Sequence, residues 1–269
     1  MQEKVLNKSK NGMAMLLVFT LLYAAAVAAA VIGGINANIP LIVISVVYIS
    51  LGWIFFLGLK VLRPQEALVL TLFGNYIGTL REPGFYYVNP FCVGVNPAAK
   101  TRLNQSSDVD GGQSPALQLL SAGVNPVSSA EQPSKKISLK IMTLNNARQK
   151  INDRLGNPIE IGIAVMWRVT DTAKAVFNVD NYKEYLSLQC DSALRNIVRI
   201  YPYDVAENVD TTGDGVADEG SLRGSSEVVA ERIRQEIQQK VADAGLDIIE
   251  ARITYLAYAP EIAAAMLRT

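Results

Sequence analysis

No charged side chain occurs between Asn11 and Leu59. A single helix of that length, at about 1.5 Å per residue, would far exceed the roughly 30 Å hydrocarbon core of a bilayer. Turn chemistry divides it at Gly33-Gly34-Ile35-Asn36-Ala37-Asn38, and Pro40 stands where a new helix can begin. Each half is then about twenty residues, long enough to cross. Lys4, Lys8 and Lys10 precede the run, Lys60 and Arg63 follow it, and the intervening turn has no charge. Lysine and arginine bias short flanks toward the cytoplasm. The pattern therefore predicts a transmembrane hairpin over 13–60, a cytoplasmic N-terminus over 1–12, and the remainder of the chain facing the cytoplasm at the inner membrane. Two readings compete. The basic start, apolar stretch and Ala-rich AAAVAAA also describe a secretory signal peptide, and two apolar helices can pair inside a soluble core.

The 269 residues suggest one or two domains. Half are hydrophobic and the mean hydropathy is +0.19, but the excess lies in the first sixty. Lys+Arg and Asp+Glu balance at 25 each, so no global field attracts nucleic acid, and no such partner is expected. The chain has no histidine, which removes Ser-His-Asp and Cys-His catalysis, HExxH chemistry and His-ligated metals. Cys92 and Cys190 lack CxxC spacing and read as small buried apolar residues, with a disulfide between them left open.

Beyond the hairpin the pattern becomes strand-like. Ala67–Phe73 and Tyr76–Leu80 are short β-favouring runs divided by Gly74-Asn75. Phe85-Tyr86-Tyr87-Val88-Asn89-Pro90-Phe91-Cys92-Val93 is aromatic and uncharged, and suits either a core strand or a loop dipping into the headgroup region. Residues 97–134, rich in Ser, Gly, Pro, Gln and Ala, read as a flexible insertion. Alternation resumes over Lys136–Ile141 toward Leu144, and a turn cluster at 152–158 leads to a strand over Ile159–Val169, predicting a hairpin. Asp171 caps a short helix over 172–177. Longer helices are predicted from about Asn181 to Ile200 and from about Ser225 to Ala244. The second repeats Val229, Ile233, Ile237 and Val241 and is capped by Gly245. Leu246 to Tyr258 alternates as a last strand, and Pro260 opens a helix over 260–269 that reads as the start of a truncated coiled coil.

These pieces together resemble a family. Residues 61–269 are similar to the SPFH or band 7 domain of stomatins, prohibitins and flotillins. The resemblance rests on Phe73-Gly74-Asn75-Tyr76-Ile77-Gly78-Thr79, Pro83-Gly84-Phe85, Asn89-Pro90-Phe91, Gly156-Asn157-Pro158-Ile159 and Val165-Met166-Trp167-Arg168-Val169. Asn181-Tyr182, Ala193-Leu194-Arg195, Ser221-Leu222-Arg223-Gly224 and Ala257-Tyr258-Ala259-Pro260-Glu261-Ile262 extend it. The likeness is greatest to bacterial stomatin-like members with an N-terminal transmembrane hairpin. The long 97–134 loop and the missing extended coiled coil are departures. The resemblance implies an α+β fold over 61–259 and a non-enzymatic scaffold without cofactors. Its subunits would form a homo-oligomeric ring or cage that organises a membrane microdomain. Its expected partners are lipids and membrane proteases or other integral proteins, and the alternative is a regulatory subunit of a membrane protease or transporter.

One constellation invites metal chemistry. Asp210, Thr212, Asp214, the Val216 carbonyl and Asp218 take the first, third, fifth, seventh and ninth places of an EF-hand-like count, with Gly215 at the sixth. Ser221 replaces the bidentate glutamate at the twelfth, so a calcium site at Asp210, Asp214 and Asp218 would bind poorly. A solvated, self-repelling loop is the simpler reading. Asp153, Asp204 and Glu207 can be imagined as acid–base pairs, but no nucleophile elbow or phosphate loop accompanies them. The expected membrane-contacting residues are Trp53, Phe55, Phe56, Phe85, Tyr86, Tyr87 and Phe91.

Overall fold

The computed structural model describes residues 3–6, 11–101, 103, 134–204 and 221–262. The chain forms two compact units, one of residues 2–96 with 135–139, the other of 97–134 with the chain from 140 onward.

The first unit opens with helix α1 (Gly12–Ile35), followed by α2 (Ile39–Leu51) and the short α3 (Trp53–Phe56). The reversal is tighter than the sequence suggested. Gly33 and Gly34 remain helical, and only Asn36-Ala37-Asn38 turns the chain. The Asn38 side chain accepts the Leu41 amide at 3.4 Å and Pro40 stands in the first turn of α2, so the new helix is capped on entry. Gly33 lets the two helices approach, since a Cβ there would lie 3.0 Å from Ile42 Cγ1. Both Gly12–Ile35 and Ile39–Phe56 are long and apolar enough to cross a membrane. In α1 only Gly12, Phe19 and Gly33 are buried, and in α2 only Ser45. The described chain does not cover these helices, which leaves the soluble-core reading without support.

Strand β1 (Leu59–Leu62) follows directly and pairs antiparallel with β4 (Gly84–Tyr87). A second sheet has β3 (Asn75–Leu80), β2 (Glu66–Leu72) and β5 (Val93–Gly94) in that order, with β6 (Ile137–Ser138) pairing with β2 at Glu66 and Ala67. Leu62, Leu68, Leu70, Leu80, Tyr86, Val88 and Cys92 form the core between them. Each such side chain contributes about 1.5–3 kcal/mol relative to exposure.

The strand predicted over Lys136–Ile141 is corrected. Ile137–Ser138 belongs to the first unit, and a separate strand β7 (Met142–Asn145) to the second. Alternation runs through the junction because it reports only which side chains seek a core, not whether they seek the same one. In the second unit β7 and β8 (Gln149–Asn152) both pair with the long β9 (Pro158–Val169), whose other side pairs with β10 (Leu246–Tyr258). The hairpin across the 152–158 turn is thus made by β8, which the sequence reading had left unassigned. Helices α4 (Thr172–Phe177), α5 (Tyr182–Val198) and α6 (Ser226–Val241) complete the unit. Asp171 Oδ1 accepts the Lys174 amide at 2.9 Å, so the expected cap forms, and the Asn181 side chain likewise caps α5 by accepting the Lys183 and Glu184 amides. Val229, Ile233, Ile237 and Val241 are fully buried, and Gly245 adopts the left-handed conformation, φ +67°, after a 3₁₀ turn.

The 97–134 insertion falls mainly outside the described residues, and the helix from Pro260 is described only to Ile262.

Candidate membrane-contacting surface

The surface is built where the helices meet the first sheets. Gly58 leaves α3 with its carbonyl accepting the Val88 amide at 2.9 Å. A Cβ at Gly58 would lie 2.7 Å from the Tyr87 ring, so only glycine lets the strand close on the helix end. The register Leu59↔Tyr87 and Val61↔Phe85 then sets the aromatic strand beside the chain's exit from the hairpin.

At this level the rings of Phe19, Phe55, Phe56 and Tyr87 cluster. Centroid distances from Phe19 are 5.7 Å to Phe55, 5.8 Å to Phe56 and 5.2 Å to Tyr87. One turn further along the hairpin, Tyr23 donates to the Ile49 carbonyl at 2.9 Å, and its ring lies 6.5 Å from Tyr48. The first two turns of α1 run beside β4: a Cβ at Gly12 would sit 2.7 Å from Phe85 Cγ. This explains why α1 is longer than Ile39–Phe56, since its extra length lies against the strand.

The expected membrane-contacting residues divide. Trp53 is 55% exposed, and Phe55 and Phe91 are also open to the outside, while Phe56, Phe85 and Tyr87 are half-buried. Tyr86 is a correction. It is 2% exposed in the core, and its hydroxyl donates to the Glu82 carbonyl at 3.0 Å. Neighbours on a strand point to opposite faces, so the run Phe85-Tyr86-Tyr87 cannot present all three rings to one side. The stretch 85–93 is a core-facing strand to Val88, then a turn, closed by the Cys92 amide to Asn89 O at 2.9 Å, that exposes Phe91.

Phe73 and Val93 were missed by the sequence reading. Phe73 had been taken as the end of a strand, but it occupies the tip of the β2–β3 turn, 83% exposed and with φ +49°. Left-handed backbone is costly for an aromatic residue, and Asn is the favoured occupant before glycine in such a turn. Its ring stacks on Phe91 at 6.2 Å, and exposed Val93 pairs with Thr71 beside them. The available signal was charge: residues 67–80 and 83–99 contain no charged side chain.

Of the acids considered for acid–base chemistry, the described ones are engaged in other contacts. Asp153 is buried and acts as a clamp. Its Oδ1 accepts the Leu155 and Asn157 amides at 2.9 and 2.8 Å, and its Oδ2 accepts the Tyr203 amide at 3.0 Å. Asp204 faces Arg223 at 3.5 Å, and Glu207 lies outside the described residues. Both cysteines are buried and free, so no disulfide joins them, and burial first, then Asp191, pushes the Cys190 thiol up to about 12. An open groove of about 540 Å³ between α6 and β10 is lined by Glu231, Arg234, Glu250 and Arg252. Those four pair with one another, Glu231 with Arg234 and Glu250 with Arg252. Among the described residues no group of acids or cysteines is arranged to hold a metal, and Asp210, Asp214 and Asp218 lie outside them.

An α+β domain of antiparallel sheets and helices, placed directly after two apolar helices, defines a membrane-associated class of domain proteins. The family model for the SPFH domain / Band 7 family matches residues 60–269, and the chain belongs to that family. The match begins at the second residue of β1. No curated protein matches the chain. The family is generally of the non-enzymatic scaffold type, typically associated with membranes.

Proposed function

We propose that this protein is a membrane-anchored scaffold whose copies associate side by side into a ring or cage and organise the enclosed membrane. The observation that carries the anchoring is the uncovered apolar hairpin, continuous with a domain whose nearest surface is itself apolar. Helices of this length and hydropathy, with polar groups such as Tyr23 and Ser45 satisfied internally, suit a bilayer. Phe73, Phe91 and Val93 form a second exposed apolar patch in the same unit, suited to the interfacial region. The basic flanks at Lys4 and at Lys60 and Arg63 favour a cytoplasmic domain.

Lateral association is supported by β10. It lies at the edge of its sheet, and side chains of α6 bond to its first residues. Gln238 bonds to Leu246 O and the Ile248 amide, and Arg234 to Ile248 O. From Glu250 to Tyr258 no described strand pairs with the outer edge, and a long open edge favours pairing with another chain. Anchored copies share one plane, which raises their effective concentration. Electron microscopy and mass measurement of the full-length chain in nanodiscs test this. Closed multi-copy particles are expected, and a uniform monomer overturns the scaffold reading. A regulatory subunit would instead recover one stoichiometric membrane protease or transporter on crosslinking.

A further inference from the structure

The short segment ahead of α1 is part of the first sheet. The Thr79 amide donates to Lys4 O at 2.9 Å and the Leu6 amide to Thr79 O at 2.9 Å, forming a parallel bridge between Val5 and Thr79. The Lys4 amide donates to the Tyr76 hydroxyl at 3.2 Å. Glu3, with its side chain 10% exposed, pairs with Arg81 at 3.0 Å. Leu6 packs on the core of Leu62, Leu70 and Leu80. Gly78 makes the room, since a Cβ there would lie 2.6 Å from Leu6 Cγ and 2.7 Å from Lys4 O. Strand addition of this kind combines main-chain hydrogen bonds with a side-chain notch and a charge partner, the means by which sheet edges select an extended ligand.

We propose that the outer edge of β3 is a binding site for the chain's own residues 3–6, and that filling it fixes the topology of the hairpin. The argument is one of reach. From Leu6 to Gly12 the chain spans at most about 20 Å at full extension, short of the roughly 30 Å hydrocarbon core. The site itself lies after the second span. With residues 3–6 seated on β3, the start of α1 cannot be on the far side of the membrane, and an odd number of crossings is excluded. Charge bias at Lys8 and Lys10 and strand docking at β3 thus act as two separate restraints on the same outcome. The proposal rests on reading the two helices as membrane spans and is independent of ring formation.

The test uses the full-length chain in membranes, with Gln2→Cys labelled by a membrane-impermeant maleimide from either face. Lys8→Gln with Lys10→Gln is expected to leave the N-terminus on the side of the domain. Adding Gly78→Val, or separately Leu6→Asp, which alters the segment and not the sheet, is expected to raise labelling from the opposite face about tenfold, as losing a few docking hydrogen bonds implies. In the otherwise native chain, Val5→Cys with Thr79→Cys is expected to form an intramolecular disulfide. Redistribution of the N-terminus by the two lysine changes alone overturns the proposal. So does an unchanged distribution in both combined variants, or absence of the crosslink. Release of the unaltered protein by alkaline carbonate would overturn the reading of the helices as spans, and the proposal with it.

Discussion

Asp153 shows how one carboxylate can organise a turn without catalysing anything. Four donors converge on it from the β8–β9 turn and from Tyr203, and charge-assisted bonds of this kind are among the stronger ones. Asp153→Ala would leave part-buried amides without their acceptor and is expected to cost about 1–3 kcal/mol, read as a lowered denaturation midpoint. Phe73 shows the opposite balance. Phe73→Asn should stabilise the turn by about 1 kcal/mol, because Asn tolerates left-handed backbone. The lost stability in the native residue is consistent with contact at the bilayer. An environment-sensitive probe on Phe73→Cys in nanodiscs should report an apolar setting, and a fully aqueous signal would remove the patch from the membrane-contacting surface. Glu66 carries the acid dependence of the β2–β6 pairing. Burial raises its carboxyl, but Lys136 at 2.9 Å, the Arg63 amide and both positive charges outweigh this and hold it below its ordinary 4.5. A depressed folded value means that the stability is present above 4.5 and lost as pH falls through the lower value. The pair is half-open to water, so no more than about 1 kcal/mol is at stake. Hydrogen exchange around Ala67 and Ser138 should accelerate below that window and be flat above it.

Among elements, the join between α3 and β1 is the most exacting. Gly58→Val would drive a side chain into Tyr87 and the Val88 carbonyl. The expected result is release of β4 from β1, seen as protease sensitivity between residues 81 and 93 in a protein that still inserts. The elements read most directly from sequence were those set by local rules. The Asp171 cap, the four-residue repeat of α6 and the glycine after it all needed only neighbours along the chain. β1, β8 and the division of 136–145 into two strands were not legible. Each is short; β1 and β6 also take their partners from distant stretches, as with Leu59 and Tyr87 or Ala67 and Ile137, and β8 lies in a polar stretch without clear alternation. Propensity says little about a four-residue strand whose stability is its partner's doing. The candidate surface was partly legible for the same reason. Aromatic content marked 85–91, but only the pleat removed Tyr86 and only the β2–β3 turn brought Phe73 to Phe91.

For the whole molecule, family membership, two membrane-length helices and a following α+β domain form a consistent arrangement. The ring itself is the proposal that particle size will decide. Composition alone determined that the first sixty residues seek an apolar solvent and that histidine chemistry is absent, because these depend on residue types and not on placement. Order along the chain determined the family, the helices and their caps, because helical hydrogen bonds are made within four residues. What only tertiary structure decided were relations between distant stretches. Residues 3–6 close the edge of β3, Gly58 and Gly78 serve close approach, Tyr86 turns inward while Phe73 turns outward, and the 136–145 stretch serves two cores. Sheet pairing joins residues that sequence distance keeps apart, so its consequences for topology and surface become visible only when the sheets are formed.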